Sequence, residues 1–202
     1  WAYAQTNQPT DEVLVQSGRL TQRQFDAPTS SFTIDAETIR SSGPQFNLSD
    51  VLARAPGVVA LNRNNYAQDV QISVRGFGAR SAFGLRGFRL ITDGIPATTP
   101  DDQGQASTVS LTSAEKIEVL TGPLAQLYGN SAGGVIQVFT READLTPTAQ
   151  AQIFKGSYGL KRTDWQFSQR FGNVGFVADY STFEIQGYRN NSQAKREQLN
   201  SV

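Results

Sequence analysis

The stretch RTDWQFSQRFGNVGFVADY, Arg162 to Tyr180, decides what kind of sheet ends this chain. Arg162, Asp164, Gln166, Ser168 and Arg170 alternate with Thr163, Trp165, Phe167, Gln169 and Phe171. Successive strand side chains point to opposite faces, so one face is wholly polar and the other mostly apolar and aromatic. Gly172-Asn173 suits a two-residue hairpin turn, after which Val174, Phe176, Ala178 and Tyr180 resume the alternation. Long strands with an aromatic-rich face are the signature of a transmembrane β-barrel. A soluble antiparallel sheet whose apolar face covers a core has the same period, and periodicity does not choose between the two. The residues after Thr148 are too few to close a barrel, since eight strands of about ten residues need about 80 before turns.

Working outward, the 202 residues carry 18 Lys+Arg against 18 Asp+Glu, with a sequence pI near 6.5. Global electrostatics therefore steers the chain toward neither nucleic acid nor an anionic membrane, and any charge-driven recognition must be local. There is no Cys and no His. That excludes disulfides, thiolate or imidazole metal sites, and any triad whose base would come from this chain. No apolar run approaches the ~18 residues of a membrane-spanning helix. Ala2-Tyr3-Ala4 before Gln5 fits the small-x-small end of a secretory signal. On that basis residues 1-4 are a signal remnant, and the exported chain starts at Gln5.

Residues Gln5 to Thr10 are polar, and Asp11 to Gly18 carries a short apolar run at Val13, Leu14 and Val15 that reads as a lone strand. Ser31 to Ile34 predicts a second strand. Asp35 is an N-cap for a short helix that Gly43-Pro44 stops. A further helix starts at Asn47, where Leu48, Val51, Leu52 and Ala55 fall at i, i+3, i+4, i+7, and Pro56-Gly57 ends it. Strands follow at Val58 to Leu61, Val70 to Val74, Phe88 to Thr92 ahead of an Asp93-Gly94 turn, Ile117 to Thr121 and Val135 to Thr140. Up to about Thr140 the pattern is a compact α+β domain.

Between Asp69 and Asp93 there is no acidic residue, yet Arg75, Arg80, Arg86 and Arg89 stand among Gly76, Gly78, Gly84 and Gly87 in SVRGFGARSAFGLRGFRLITDGIP, Ser73 to Pro96. Gly129-Asn130-Ser131-Ala132-Gly133 matches the G-x-S-x-G nucleophile pattern. That pattern requires a following helix and a histidine, whereas a strand follows here and histidine is absent, so Ser131 reads as part of a tight turn. Gly76-Phe77-Gly78 begins a dinucleotide fingerprint whose third glycine is replaced by Ser81. The carboxylates Asp101 and Asp102 lie between Thr-Pro and Gln-Gly, which marks an exposed loop.

The stretches NYAQDVQISVRGFGARSAFGLRGFRLITDGIPATTPDDQGQ (Asn65 to Gln105) and KIEVLTGPLAQLYGNSAGGVIQVFT (Lys116 to Thr140) together resemble the plug domain of TonB-dependent outer-membrane receptors. The likeness is greatest to the branch that includes the pyrroloquinoline quinone receptor, from which the chain departs at Asp102, usually Gly there. The energy-coupling box EVLVQS is also looser than usual. The resemblance implies an α+β plug followed by the first antiparallel strands, three of them, of an incomplete transmembrane β-barrel. Residues 5-26 form a tail with the TonB box, 27-146 the plug, and 147-202 the barrel strands.

It implies a Gram-negative outer-membrane receptor, not an enzyme, that takes up a scarce and anionic solute by binding and plug gating. The solute is pyrroloquinoline quinone, with a ferric siderophore or ferric citrate as the alternative, and there is no covalent cofactor, no metal site and no nucleic-acid partner. Glu12, Val13, Leu14, Val15 and Gln16 would add a strand to the periplasmic domain of TonB. Arg75 and Arg89 would pair with carboxylates of the barrel wall. Arg80 and Arg86, with Tyr66, Phe83, Asp101 and Gln103, would contact the ligand, the arginines by charge and the rings by stacking. The glycines would let the loop follow the ligand and the plug rearrange when TonB pulls. The full barrel would meet outer-membrane lipid. The rivals are a secreted serine hydrolase built on Ser131 and a stand-alone soluble module with the plug fold.

Overall fold

The structure is a computed structural model that describes residues 30–62, 66, 69–81, 84–99, 103–122, 128 and 131–202, with 14–17 and 20–23 as backbone. Its first element, β1 (Leu14–Ser17), pairs antiparallel with β2 (Leu20–Arg23), from Leu14 opposite Arg23 to Ser17 opposite Leu20. This corrects the lone strand expected there. Leu20-Thr21-Gln22-Arg23 carries almost no hydrophobic pattern, so only the pairing reveals it. Glu12 and Val13 lie outside the described residues.

The plug follows as β3 (Ser30–Asp35), α1 (Ala36–Ser41), α2 (Ser49–Leu52), β4 (Val58–Leu61), β5 (Gln71–Val74), β6 (Arg89–Thr92), β7 (Ile95–Pro96), β8 (Ala114–Thr121) and β9 (Val135–Thr140). Five of its strands form a sheet in the order β3-β8-β9-β6-β7, with β6 and β9 parallel, while β4 and β5 pair separately. Asp35 caps α1 as predicted, accepting the Thr38 N–H at 2.7 Å. The helix expected from Asn47 shrinks to the single turn of α2, but Leu48, Val51, Leu52 and Ala55 are all buried on the core. Each large aliphatic side chain there contributes about 1.5–3 kcal/mol by leaving water. Asp93 and Gly94 both take positive φ, 49° and 82°, as the two-residue hairpin turn between β6 and β7 requires. The Asp93 carboxylate then accepts the Thr140 N–H at 2.7 Å and its hydroxyl at 2.6 Å, tying the turn to the end of β9.

After the linker 141–147 come β10 (Thr148–Lys155), β11 (Lys161–Phe171), β12 (Val174–Ile185) and β13 (Ala194–Ser201), an antiparallel sheet in sequence order. There are four strands where three were expected. Ala194 to Ser201 was not legible, because Lys195 and Glu197 on one face and Arg196 and Gln198 on the other make both of its faces polar. The sheet also separates the two readings of Arg162 to Tyr180. A soluble sheet would bury its apolar face, yet Arg162 is 4% exposed and Trp165 58%. Asp164, Ser168, Asp179 and Phe183 are buried with Arg162 against the plug, while Phe167, Phe171, Phe176 and Tyr180 face outward uncovered. Polar inside and aromatic outside is the barrel arrangement. Among the described residues no helix is long and apolar enough to cross a membrane.

Candidate functional site

The glycine-and-arginine segment is held by close backbone crossings. A Cβ on Gly78 would lie 2.7 Å from the Arg86 carbonyl oxygen and 2.8 Å from that of Ile72. One on Gly133 would lie 2.7 Å from Cβ of Phe77 and 2.8 Å from the Gly87 carbonyl oxygen, to which the Gly133 N–H donates at 2.9 Å. At these positions glycine lets one strand of backbone press on another, which makes a tight knot where the sequence alone pointed to a pliable loop. The knot is pinned further where Val74 and Phe77 exchange backbone hydrogen bonds at 3.0 and 2.9 Å, and where Leu85 N–H donates to Gly104 at 2.9 Å.

On this knot Arg75, Arg80 and Arg86 are exposed, and among the described residues none of them has a carboxylate partner. Arg75 takes a positive φ of 52° and donates its N–H to Gly57 at 2.8 Å. Arg89 is half-buried on β6, and its N–H donates to the Gly134 carbonyl at 3.1 Å. Gln103 is exposed, and its carbonyl accepts both the N–H and the hydroxyl of Thr99 at 2.8 Å. Phe83, Asp101 and Asp102 lie outside the described residues. The Tyr66 ring meets Phe46 edge-on at 4.9 Å and Phe183 of β12 at 5.2 Å. Ser131 is buried in the turn that leads into strand β9, with no helix after it.

The contact between plug and strands is carried by side chains that reach from the strands to the plug. Arg162 pairs with Asp164 at 2.8 Å on its own strand and donates to the Pro44 carbonyl. Arg196 of β13 donates to the carbonyls of Phe46, at 3.2 Å, and of Ser107, and lies over the Phe46 ring. Asp179 of β12 accepts the hydroxyls of Ser110, at 3.1 Å, and Thr112. Gln166 donates to the Thr112 carbonyl at 2.6 Å, and Asn200 to the Ser113 hydroxyl at 2.8 Å. Below them Ser168 accepts the Asp144 N–H at 2.8 Å, anchoring the linker. Inward-facing residues of the adjacent strands β11, β12 and β13 do all of this. The alternation put Arg162, Gln166 and Ser168 on one face and Asp179 opposite the apolar set that ends at Tyr180, but Arg196 and Asn200 lay beyond the stretch whose period was followed.

Two plug carboxylates sit behind this contact. Burial pushes the Asp50 carboxyl up, opposed by the N–H groups of Asn47 and Phe46 and by Arg162. Burial also pushes Asp69 up, against hydrogen bonds from Ser107 and Ala106 and the charge of Arg196. In the linker the Thr148 hydroxyl, at 2.6 Å, holds Asp144 below the usual carboxylate range.

An α+β stopper whose edge is clasped by the polar face of antiparallel strands, with their aromatic face turned outward, is the arrangement of a plugged transmembrane β-barrel. The chain belongs to the TonB-dependent receptor plug domain family, which its residues 23–135 match, more than half its length. Among relatives, it is 24% identical over 185 residues to the vitamin B12 transporter BtuB of Vibrio vulnificus, covering 91% of this chain and 29% of that one. To the ferrienterobactin receptor of Escherichia coli it is 26% identical, covering 99% of this chain and 28% of the relative. Its fold superposes on the unliganded ferric citrate transporter FecA with a TM-score of 0.71, at 24% identity, covering 87% of this chain and 28% of that one. On the alcaligin receptor FauA of Bordetella pertussis the score is 0.70 at 15% identity, covering 92% and 31%. The chain thus spans less than a third of these relatives. Membership sets the location, the Gram-negative outer membrane, and the class, a receptor and not an enzyme.

Proposed function

We propose that this chain is the plug-bearing part of a TonB-dependent receptor that binds a scarce anionic solute outside the cell and releases it inward. The observation that carries this reading is the exposed pair Arg80 and Arg86 on a backbone knot, in a plug clasped by the lumen face of barrel strands. Guanidinium groups without carboxylate partners in a segment free of acids are ready donors to an anion. Arg80 and Arg86 take the ligand with Gln103, Phe83 and Asp101. Arg75 and Arg89 serve the barrel wall that continues from β13. Tyr66 contributes indirectly, by holding Phe46 and Phe183 together at the plug edge.

Pyrroloquinoline quinone, a planar tricarboxylate, suits the arginines and the NYAQD and DGIPAT pattern. A ferric siderophore is the second ligand reading, favoured by the ferric enterobactin receptors of Pseudomonas aeruginosa among the relatives. Energy arrives through TonB, which pairs with Glu12 to Gln16, either on the open edge of β1 or by displacing β2 from it. A two-stranded hairpin is marginal alone, which makes the exchange accessible.

Calorimetry on the complete receptor tests this reading with pyrroloquinoline quinone and ferric enterobactin as probes. Arg80→Ala weakens binding of the cognate probe by about tenfold or more, as loss of a charged hydrogen bond implies, with an unchanged melting temperature. Unchanged affinity for both probes removes Arg80 from the site, and no binding of either by the wild type removes both ligand readings.

A further inference from the structure

We propose that the outer rim of the strand sheet binds phosphate-bearing lipid headgroups through Lys155, Lys161 and Lys195. Lys155 stands opposite Lys161, Lys161 opposite Glu184, and Glu184 opposite Lys195. Directly opposed residues share a face, so the four make one transverse line across β10 to β13, and all are exposed. Four residues along β11 from Lys161, about 13 Å away at the rise of a strand, a second line runs Ala151, Trp165, Tyr180, Leu199 on the same face. Trp165 is 58% and Leu199 74% exposed. The outward surface therefore passes from hydrocarbon-like to cationic in one strand length, the order of an acyl layer under its headgroups.

The ends of the sheet give the orientation. Gly172-Asn173 joins β11 to β12 in two residues, whereas 156–160 and 186–193 connect the strands at the opposite end. Outer-membrane barrels keep short turns on the periplasmic side and longer loops outside. The lysine line lies at the long-loop end, beneath an aromatic pair in those loops, Tyr158 and Tyr188 with centroids 5.8 Å apart, and Arg189 stacked on Tyr188 at 4.8 Å. Gln186 N–H donates to the Tyr158 carbonyl at 3.1 Å and joins the two loops.

Charge selects the ligand. Lys195 is shared between Glu197 at 3.0 Å and Glu184 at 3.7 Å. Among the described residues Lys155 and Lys161 have no carboxylate within ion-pair distance. Like charges directly opposite across a strand pair are destabilising, and a phosphate between them turns the repulsion into attraction. A transported solute would meet the plug side of the sheet, and these side chains point the other way. An anion tethered to hydrocarbon satisfies both lines at once.

The proposal rests on the outer-membrane reading above, and the test separates the two. The full-length receptor is placed in phosphatidylcholine nanodiscs containing phosphatidylglycerol as the probe, and the lipid retained after detergent extraction is weighed by native mass spectrometry. Wild type retains phosphatidylglycerol selectively, Lys155→Gln with Lys161→Gln retains about thirtyfold less, as about 1 kcal/mol for each of the two lysines implies, and Lys155→Arg with Lys161→Arg restores retention. Raising salt on the wild type erases the selectivity without any substitution. Equal retention by the glutamine variant, or selectivity that survives salt, overturns the proposal. Solute calorimetry on the same samples is unchanged by these substitutions, so loss of solute binding by the wild type would sink the receptor reading and leave the lipid result standing.

Discussion

The guanidinium of Arg196 lies 5.2 Å from the centroid of the Phe46 ring and donates to the carbonyl of the same residue at 3.2 Å. One strand residue thus grips both the side chain and the backbone of a plug residue 150 positions earlier in the chain. With the Ser107 carbonyl and Gln198 also accepting from it, both terminal nitrogens of its planar fork are engaged. Arg196→Ala leaves those carbonyls without their donor and destabilises the plug–barrel contact by about 2–3 kcal/mol. Arg196→Lys recovers less than half, because one ammonium cannot serve both carbonyls and the ring. Thermal unfolding of the receptor, followed by protease access to the plug, measures the difference.

Asp179 gathers the Ser110 and Thr112 hydroxyls from below the same edge, and Gln166 and Asn200 hold the backbone and side chain on either side. Asp179→Ala strips the acceptor from two hydroxyls and costs about 1–3 kcal/mol. The loss is local: amide hydrogen exchange speeds up across 110–113 and is unchanged in β6 and β9. Faster exchange throughout the five-stranded sheet would show instead that this edge holds up the whole plug.

Val15→Pro separates binding from transport. Proline removes the Val15 backbone donor, which points to one edge of β1 only, so the substitution tests TonB pairing along that edge. Uptake falls to background while solute affinity measured by calorimetry stays at the wild-type value. Reduced affinity would place the N-terminal strand in the binding site.

The fold was legible where a local rule acts alone. Asp35 and Thr38 obey the N-cap rule, Asp93-Gly94 the hairpin rule, and Val135 to Thr140 the strand pattern, and each lies where the sequence placed it. The polar face of Arg162 to Arg170 was also visible, because five residues in a row kept the period. What escaped were relations between distant segments. Nothing in Leu20 to Arg23 announces that it pairs with Leu14 to Ser17. Nothing in the isolated glycines distinguishes a flexible loop from a backbone crossing, since that depends on what Gly133 meets at Phe77 and Gly87. The four arginines of Ser73 to Pro96 drew the eye, yet Arg162 and Arg196 hold the plug to the described strands.

Two carboxylates predict opposite pH dependences. The Asp35 carboxyl is held down first by the Thr38 N–H it caps. Its contribution is complete above the ordinary carboxylate pKa and is lost as pH falls through the lowered folded value. Exchange of the Thr38 amide therefore speeds up in that acid window, and Asp35→Asn, which keeps the acceptor, flattens the response. Asp50 is pushed up by burial, so the folded state binds its proton first and gains stability as pH falls through the raised value. Asp50→Asn removes that gain while its amide oxygen still accepts from Phe46. Urea unfolding of each variant against pH reads both signs.

Gly133 and Gly43 give a controlled comparison of what glycine does in this plug. Gly43 takes φ +89° with nothing within 4 Å of its missing Cβ, so Gly43→Ala meets only the backbone penalty, about 1 kcal/mol. Gly133 is crowded instead: an added Cβ lies 2.7 Å from Phe77 and 2.8 Å from the Gly87 carbonyl, and the Gly133–Gly87 hydrogen bond must break or the knot must shift. Overpacking of that kind costs about 1–3 kcal/mol, and here it falls on the segment that presents Arg80 and Arg86. Gly133→Ala therefore lowers both the melting temperature and the solute affinity, whereas Gly43→Ala lowers only the first. If the two substitutions reduce affinity equally, the crossing does not set the arginines in place, and their geometry must come from the barrel wall.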